Sequence, residues 1–203
     1  MIAESACGHS KDATLMMVSA RPDPLLNPLP QAGEEANEKD NLESSGEGTT
    51  GRCANLSLHL ADENATIALA QRLAARLKPG MVIYLRGDLG AGKTTLVRGV
   101  LSVLGYAGRV KSPTYTLAEP YQAAGLDFRH FDLYRMLGEE EWEAAGFRDE
   151  FDGRNIFFIE WPEKAQGLIP KADIEIILEI SPQGRNAKIH ANTEMGKRCL
   201  EKL

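Results

Sequence analysis

The first 55 residues of this 203-residue chain contain no aromatic side chain, although the whole sequence has 2 Trp, 5 Tyr and 6 Phe. The same segment holds four of the ten prolines, the run ESSGEGTTG, and 9 acidic against 4 basic side chains. So little apolar surface cannot offset the entropy that is lost when a segment becomes ordered. We therefore predict a disordered acidic extension at residues 1–55 and one folded domain at residues 56–203, an ordinary size for a single domain.

Cysteine is also scarce, and its placement excludes two common uses. Cys7, Cys53 and Cys199 are odd in number and far apart, and the sequence has no CxxC motif. This pattern excludes a disulfide framework and a cysteine-rich zinc site. Reduced thiols of this kind are typical of a cytoplasmic protein.

No apolar run approaches the roughly 18 residues that a membrane-spanning helix needs. The short apolar stretch TLMMVSA near the N-terminus lacks the basic leader of a signal peptide. Together these absences predict a cytoplasmic location and no contact with a membrane.

Positive charge is not in excess in either the N-terminal extension or the remainder of the chain. Of the net charge of -6, the extension contributes -5, and the remainder has 19 basic against 20 acidic side chains. A protein that grips nucleic acid through its phosphates normally carries a basic patch or stripe. The composition therefore argues against direct nucleic-acid binding over a broad surface and leaves only a local patch open.

The strongest motif is GDLGAGKTTLVRG, which fits the phosphate-binding pattern GxxxxGK[ST] from Gly87 through Thr94. It follows the apolar strand MVIYLRG and precedes a helix predicted at residues 93–104, which is the context that the motif requires. A glycine-rich turn with an exposed lysine is the weaker alternative. Backbone N–H groups of the loop would hold a polyphosphate, Lys93 would reach its β and γ groups, and Thr94 would ligate magnesium. The loop comprises Gly87, Asp88, Leu89, Gly90, Ala91 and Gly92.

Two carboxylates lie at the ends of predicted strands, where they could serve a bound magnesium ion. Asp132 lies in HFDLYR, and Glu160 closes the apolar run NIFFIE. A carboxylate at the end of a buried strand beside the P-loop is what magnesium coordination and hydrolysis require. A loop or capping role for Asp132 and a surface position for Glu160 remain alternatives, and spacing does not decide which one lies nearer the metal.

The segment KSPTYTL offers three hydroxyls, on Ser112, Thr114 and Thr116, that could sense a γ-phosphate as switch loops do. A plain connecting turn is an equal alternative. Trp161 is more typical of core packing at a strand end than of base stacking. His130 is predicted to face sheet or core neighbours, and no catalytic triad is indicated.

Strands and helices alternate along the chain, which predicts an α/β fold. Asp62 is a plausible N-cap for a helix whose apolar stripe ends at KPG. YTLAEPYQ and LDFRHFDLYR are expected to pair antiparallel around AAG, residues 139–145 to form a short helix, and ADIEIILEIS and AKIHA to form a terminal hairpin. The antiparallel pieces make the predicted sheet mixed, in a three-layer arrangement like that of P-loop NTPases.

Four motifs, GDLGAGKTT, SPTYTL, HFDLYR and IEWPEK, follow one another within about 80 residues. In this order they resemble the TsaE family, the small ATPase of the bacterial machinery that makes threonylcarbamoyladenosine in tRNA. The resemblance runs from about Leu56 to the C-terminus. It implies ATP and Mg²⁺ as ligands, slow hydrolysis by the isolated protein, and TsaD and TsaB as partners through which the protein meets tRNA indirectly.

By motif position, the resemblance also implies roles for single residues. Lys93 and Thr94 would contact phosphate and magnesium, with Thr95 beside them. Asp132 and Glu160 would be the acidic pair, residues 112–116 the nucleotide-sensing switch, and Trp161 a wall or brace of the site. Tyr115 departs from the phenylalanine common at its position.

Two other classes of function use the same loop. A small-molecule kinase would need an acceptor pocket and an arginine-bearing lid, and no arginine-rich insert follows the P-loop helix. A nucleotide-dependent binding module would bind ATP without turning it over. Hydrolysis coupled to a protein partner is the interpretation that the combined motifs favour.

Overall fold

A seven-stranded sheet in the order β1-β7-β6-β2-β5-β4-β3 forms the centre of the fold. The computed structural model describes residues 55–201 and residue 203, all within one compact unit. The strands are β1 Asn55–Leu60, β2 Val82–Arg86, β3 Ala118–Ala123, β4 Leu126–Asp132, β5 Ile156–Glu160, β6 Ile174–Ser181 and β7 Gly184–Ala191. The α-helices are α1 Glu63–Ala74, α2 Lys93–Val103, α3 Glu139–Ala144 and α4 Glu194–Leu200, and short 3₁₀ helices span Phe147–Glu150 and Pro162–Ala165. The extension predicted to be disordered lies outside the described residues except for Asn55, which begins β1.

The sheet is mixed, as predicted. Its centre is parallel, because β2 pairs with both β5 and β6, and β4 pairs with β5. Its edges are antiparallel, since β3 pairs with β4, and β7 pairs with β1 and β6. The AAG turn joins β3 to β4 through Ala124 and Gly125, which both have positive φ as a tight hairpin requires.

Helices cover both faces of the sheet, which confirms the three-layer arrangement. Side chains alternate along β4, so that Phe128 packs in the cluster with α1 and α2, whereas Phe131 packs in the cluster with Trp142 of α3. By the same alternation, His130 and Asp132 lie on the face that carries α2. The P-loop helix and the ends of β4 and β5 therefore meet on one side of the sheet.

Helix α1 begins as predicted, because the Asp62 carboxylate accepts a hydrogen bond from the Ala65 N–H at 2.8 Å. It ends at Ala74, before the predicted stop at KPG. Just after Ala74, the Arg76 N–H donates to the Leu73 carbonyl, a bond that spans three residues instead of the four of an α-helix. The predicted strand YTLAEPYQ also starts late, at Ala118, because Leu117 has a φ of 60° that extended structure does not allow. Among the described residues, no helix combines the length and apolar character needed to cross a bilayer.

Candidate nucleotide-binding site

The P-loop connects β2 to α2 and forms one wall of a cleft of about 630 Å³. Its bends need glycine, since Gly87, Gly90 and Gly92 have φ values of 131°, 79° and 105°. A Cβ atom at Gly87 would also lie 2.2 Å from the Leu178 carbonyl oxygen. The loop conformation is thus one that only this glycine pattern permits.

Helix α2 points its amino end into the same cleft. No side chain in the described part of the chain caps this end, and the first backbone hydrogen bond of the helix runs from the Leu96 N–H to the Gly92 carbonyl. The N–H groups of the first turn and the positive end of the helix dipole therefore face the cleft, where an anion is the matching ligand. The loop and this helix end together fit a polyphosphate.

The ammonium group of Lys93 lies at the inner side of the loop, and the residue is only 5% exposed. Its Nζ atom donates to the carbonyls of Gly87 at 2.6 Å and Asp88 at 2.9 Å, and it lies 4.2 Å from the centre of the Trp161 ring. Burial lowers the pKa of Lys93, and the nearby carboxylates of Glu160 and Asp132 oppose this shift. The carboxylates therefore help to keep a buried positive charge beside the loop.

Glu160 is buried at the end of β5, next to the P-loop strand. Its Oε1 atom accepts a hydrogen bond from the Thr94 hydroxyl at 2.7 Å, and the same atom lies 2.9 Å from His130 Nε2. The carboxylate thus touches the P-loop threonine that the motif assigns to magnesium. This contact links the parallel centre of the sheet to the first turn of α2.

Asp132 stands directly beside Glu160, because these two residues are register partners at the ends of β4 and β5. Its Oδ2 atom accepts hydrogen bonds from the hydroxyls of Ser112 and of Thr114, the latter at 2.7 Å. Its Oδ1 atom accepts from the Tyr134 N–H at 3.1 Å. Asp132 therefore binds the hydroxyl-bearing segment, residues 112–116, to the edge of the sheet at which β5 ends with Glu160.

The donor atoms of the cleft fit a magnesium ion held jointly with a nucleotide. A hydroxyl on Thr94 and carboxylates on Glu160 and Asp132 are hard oxygen ligands, which Mg²⁺ prefers. Within residues 55–201 and 203, no group of three or more His, Cys, Asp or Glu side chains could hold a metal by itself. This matches the usual magnesium site, which takes one or two carboxylates and completes its coordination with water and phosphate oxygens.

Most of the residues predicted from sequence line this one cleft. They are Leu89, Gly90, Gly92, Lys93, Thr94, Thr95, Ser112, Thr114, Asp132, Glu160 and Trp161. Gly87 and Asp88 do not line the cleft, but their carbonyls accept hydrogen bonds from Lys93, and Ala91 is buried. Thr116 is not brought in, because its hydroxyl donates to Glu119 at 3.1 Å and it lines a separate groove.

Several residues of the site were not predicted from sequence; besides Arg185, the lining of the cleft includes Asp62, Glu63, Thr66, Arg98 and Tyr134. Arg185, at the start of β7, donates from Nε to the Ala91 carbonyl at 2.7 Å and from Nη2 to the Gly90 carbonyl at 3.0 Å. Only the fold brings it to the loop, so no local pattern could have indicated it. His130 does lie in the core as expected, but its contact with Glu160 was missed. The alternation of β4 could have placed it on the face of Asp132.

Known proteins with similar sequences belong to one family. The family model described as Threonylcarbamoyl adenosine biosynthesis protein TsaE matches residues 60–188. The chain is 43% identical over 150 residues to the tRNA threonylcarbamoyladenosine biosynthesis protein TsaE of Haemophilus influenzae, which covers 71% of this chain and 95% of that protein. It is 39% identical over 114 residues to the protein of the same name from Bacillus subtilis, covering 56% and 71% of the two chains.

A crystal structure of Bacillus subtilis YdiB has a similar fold, with a TM-score of 0.62 and 29% identity over 75% of this chain and 95% of that one. The matched family region contains the P-loop, Asp132, Glu160 and the segment of residues 112–116 that lies between the P-loop and Asp132. Since that region covers well over half of the sequence, the chain belongs to the TsaE family.

Proposed function

We propose that this protein binds ATP with Mg²⁺ and hydrolyses the nucleotide as a subunit of the assembly that forms threonylcarbamoyladenosine in tRNA. In this proposal it acts on TsaD and TsaB and supports repeated rounds of modification. Membership in the TsaE family and the names of the relatives from Haemophilus influenzae and Bacillus subtilis support the pathway. The chemistry of the cleft supports the ATPase activity.

One observation carries the proposal: the hydrogen bond of 2.7 Å between the Thr94 hydroxyl and the Glu160 carboxylate. It joins the P-loop threonine to an acidic strand end, which is the pairing of groups that nucleotide hydrolysis with magnesium requires. A glycine-rich turn with no nucleotide would not need a buried carboxylate at this place. Glu160 is only 3% exposed, and burying a charge is costly unless it is paired.

Each group has a role that follows from its position. The loop amides and Lys93 hold the phosphates, and Thr94 with one or both carboxylates would hold the cation. A magnesium ion held by these groups would neutralise charge on the phosphate oxygens. In this proposal Glu160 would orient a water molecule, and Asp132 holds Ser112 and Thr114 close enough to respond to what the loop binds. Trp161 shields the Lys93 side of the cleft from solvent.

In this proposal, ATP hydrolysis acts on a protein partner. The folded domain is nearly neutral, so contact with tRNA through TsaD and TsaB fits better than direct binding. Large apolar side chains are exposed close to the site, among them Leu89 in the loop at 62% and Tyr115 in the hydroxyl-bearing segment at 83%. Such exposure beside a nucleotide cleft suits a surface that a partner covers.

The test compares E160Q and D132N with D127N, an exposed carboxylate at the other end of β4 that serves as the matched control. We expect E160Q to lower the rate of phosphate release by about 100-fold or more, because it removes a group from the reacting centre. ATP affinity, measured by calorimetry, should stay within a few-fold in E160Q, and D127N should behave like the wild type.

The same assay is run with and without TsaD and TsaB, whose addition should accelerate phosphate release by the wild type. Unchanged turnover in both E160Q and D132N would show that the assigned carboxylates are wrong. A lack of stimulation would count against the partner coupling, and transfer of labelled phosphate to a small metabolite would favour a kinase instead.

A further inference from the structure

His130 is fully buried, yet it makes a polar contact at the candidate site. Its Nε2 atom lies 2.9 Å from Glu160 Oε1, while Nδ1 is buried with no hydrogen-bond partner among the described residues. A phenylalanine would fill the same space without leaving a ring nitrogen unpaired. Packing alone therefore does not account for a histidine at this position, and the contact with Glu160 does.

The sheet fixes this contact. His130 pairs in register with Phe158 of β5, and Glu160 lies two residues further along β5 on the same face. The Tyr121 ring lies 6.4 Å from the imidazole, centre to centre. Neighbours in the sheet thus confine the imidazole, and its position relative to the Glu160 carboxylate is fixed by the pairing of β4 with β5.

Both hydrogen bonds that the described residues make to the Glu160 side chain go to the same oxygen. Oε1 accepts from the Thr94 hydroxyl on α2 and, through Nε2–H, from the imidazole on β4. Two donors on different elements restrict the carboxylate to one orientation more strongly than one donor would. Oε2 carries neither bond, and Glu160 lines the cleft, so this second oxygen is left for a water molecule or a cation.

We propose that His130 is a positioning residue, whose Nε2–H holds Oε1 of Glu160 so that Oε2 meets the reacting water or the magnesium ion. This inference rests on the proposed ATPase function. His130 itself touches neither ligand. Its effect passes through the orientation of Glu160, and it should appear in the turnover step more than in nucleotide affinity.

The kinetic test uses H130F, which keeps a ring but removes the donor, and H130Q, whose amide can offer an N–H at similar reach. The control is F128L, which disturbs the same face of β4 two residues away without removing a polar group. We expect H130F to lower kcat by about 10- to 100-fold, the range for one hydrogen bond to a charged group, with little change in the KM for ATP. H130Q should recover most of the loss, and F128L should keep its turnover.

A measurement without nucleotide separates this inference from the proposed function. In nitrogen-15-labelled wild-type protein, the His130 Nε2–H should give a proton signal protected from solvent exchange, absent in H130F and shifted in E160Q. No such signal, or one that E160Q leaves in place, would overturn the inference even if the protein hydrolyses ATP. Turnover in H130F equal to that of F128L would do the same. Wild-type protein that shows the coupled signal but no hydrolysis would refute the proposed function and keep the His130–Glu160 link.

Discussion

Gly87 and Gly90 lie three residues apart in the P-loop, but their surroundings differ. Gly87 has a φ of 131°, and a Cβ atom there would meet the backbone of Leu178 in β6 at 2.2 Å. Gly90 also has a positive φ, of 79°, but no atom of the described residues lies within 4 Å of the added atom. The first glycine is required by backbone conformation and by space, whereas the second is required by conformation alone.

We therefore predict that G87A destabilises the fold far more than G90A. G90A should reduce the free energy of unfolding by roughly 1 kcal/mol, the cost of a left-handed residue with a side chain. G87A should lose at least about 3 kcal/mol, because β6 must also shift. Urea denaturation of both variants measures the difference, and equal losses would show that the loop does not pack against Leu178 as described.

The backbone conformation of Trp161 determines where its ring lies. It has a φ of 58°, a left-handed conformation that is rare for a bulky residue, at the start of a 3₁₀ helix. This bend lets its ring lie under Lys93 and against Tyr134, whose ring centre is 5.0 Å away. The residue pattern alone indicated core packing at a strand end, and the resemblance implied a wall or brace of the site. The backbone turn explains how Trp161 comes to line the cleft.

At the scale of elements, helix α4 is joined to the sheet through Asp173. The Asp173 carboxylate accepts from the Val82 N–H at 2.9 Å and from the hydroxyl of Thr193, the N-cap of α4. A Cβ atom at Gly196 would lie 2.0 Å from the Asp173 carbonyl oxygen, so the helix packs directly on the backbone there. This close packing buries Cys199, which is only 3% exposed.

The thiol of Cys199 reports on this packing, and its ionisation gives a testable pH dependence. Burial raises the pKa of Cys199 from 9.0 to about 11. Since the folded state resists ionisation, the thiol's contribution to stability is complete below pH 9 and is lost as the pH rises toward 11. In a C7S/C53S variant, we expect slow alkylation at pH 8 and a free energy of unfolding that falls by about 2 kcal/mol or less between pH 9 and 11.

Denaturant should restore rapid alkylation, which provides the control for reagent quality. Adding C199A to the same background should remove this part of the pH dependence. Rapid alkylation of the native C7S/C53S variant would mean that α4 is not held against the sheet.

Elements with a strong period were predictable, and short or long-range features were not. The apolar run of β5, the Asp62 cap and the P-loop helix all have local signals, and each formed where expected. Helix α4 was missed because seven residues are too few to show a clear helical period. The N-cap residue Thr193 is a local signal for this helix, but its hydroxyl is held by Asp173, which lies 20 residues earlier in the sequence.

At the scale of the whole molecule, strand order decides which predicted residues meet. β1 pairs with β7, from Asn55 opposite His190 to Leu60 opposite Arg185, and no sequence pattern indicates such a distant partner. The hairpin of β6 and β7 carries Arg185 to the P-loop. The carboxylates were easier to anticipate, because parallel neighbouring strands end at one edge of the sheet, so that Asp132 and Glu160 emerge side by side.

The composition of residues 1–55 leads to the last prediction, that the domain needs little or none of them. A chain that begins at Gly51 retains all of β1 and should melt within about 2 °C of the full-length protein, a shift that corresponds to less than 1 kcal/mol. It should also bind ATP with unchanged affinity. A chain that begins at Asp62 is the matched control, since it lacks the six residues of β1 that pair with β7. Its melting temperature should fall clearly, because the sheet loses an edge strand and the core loses the buried side chain of Leu60. A comparable fall for the chain that begins at Gly51 would mean that the extension contributes to the fold, contrary to what its missing aromatics and its charge predict.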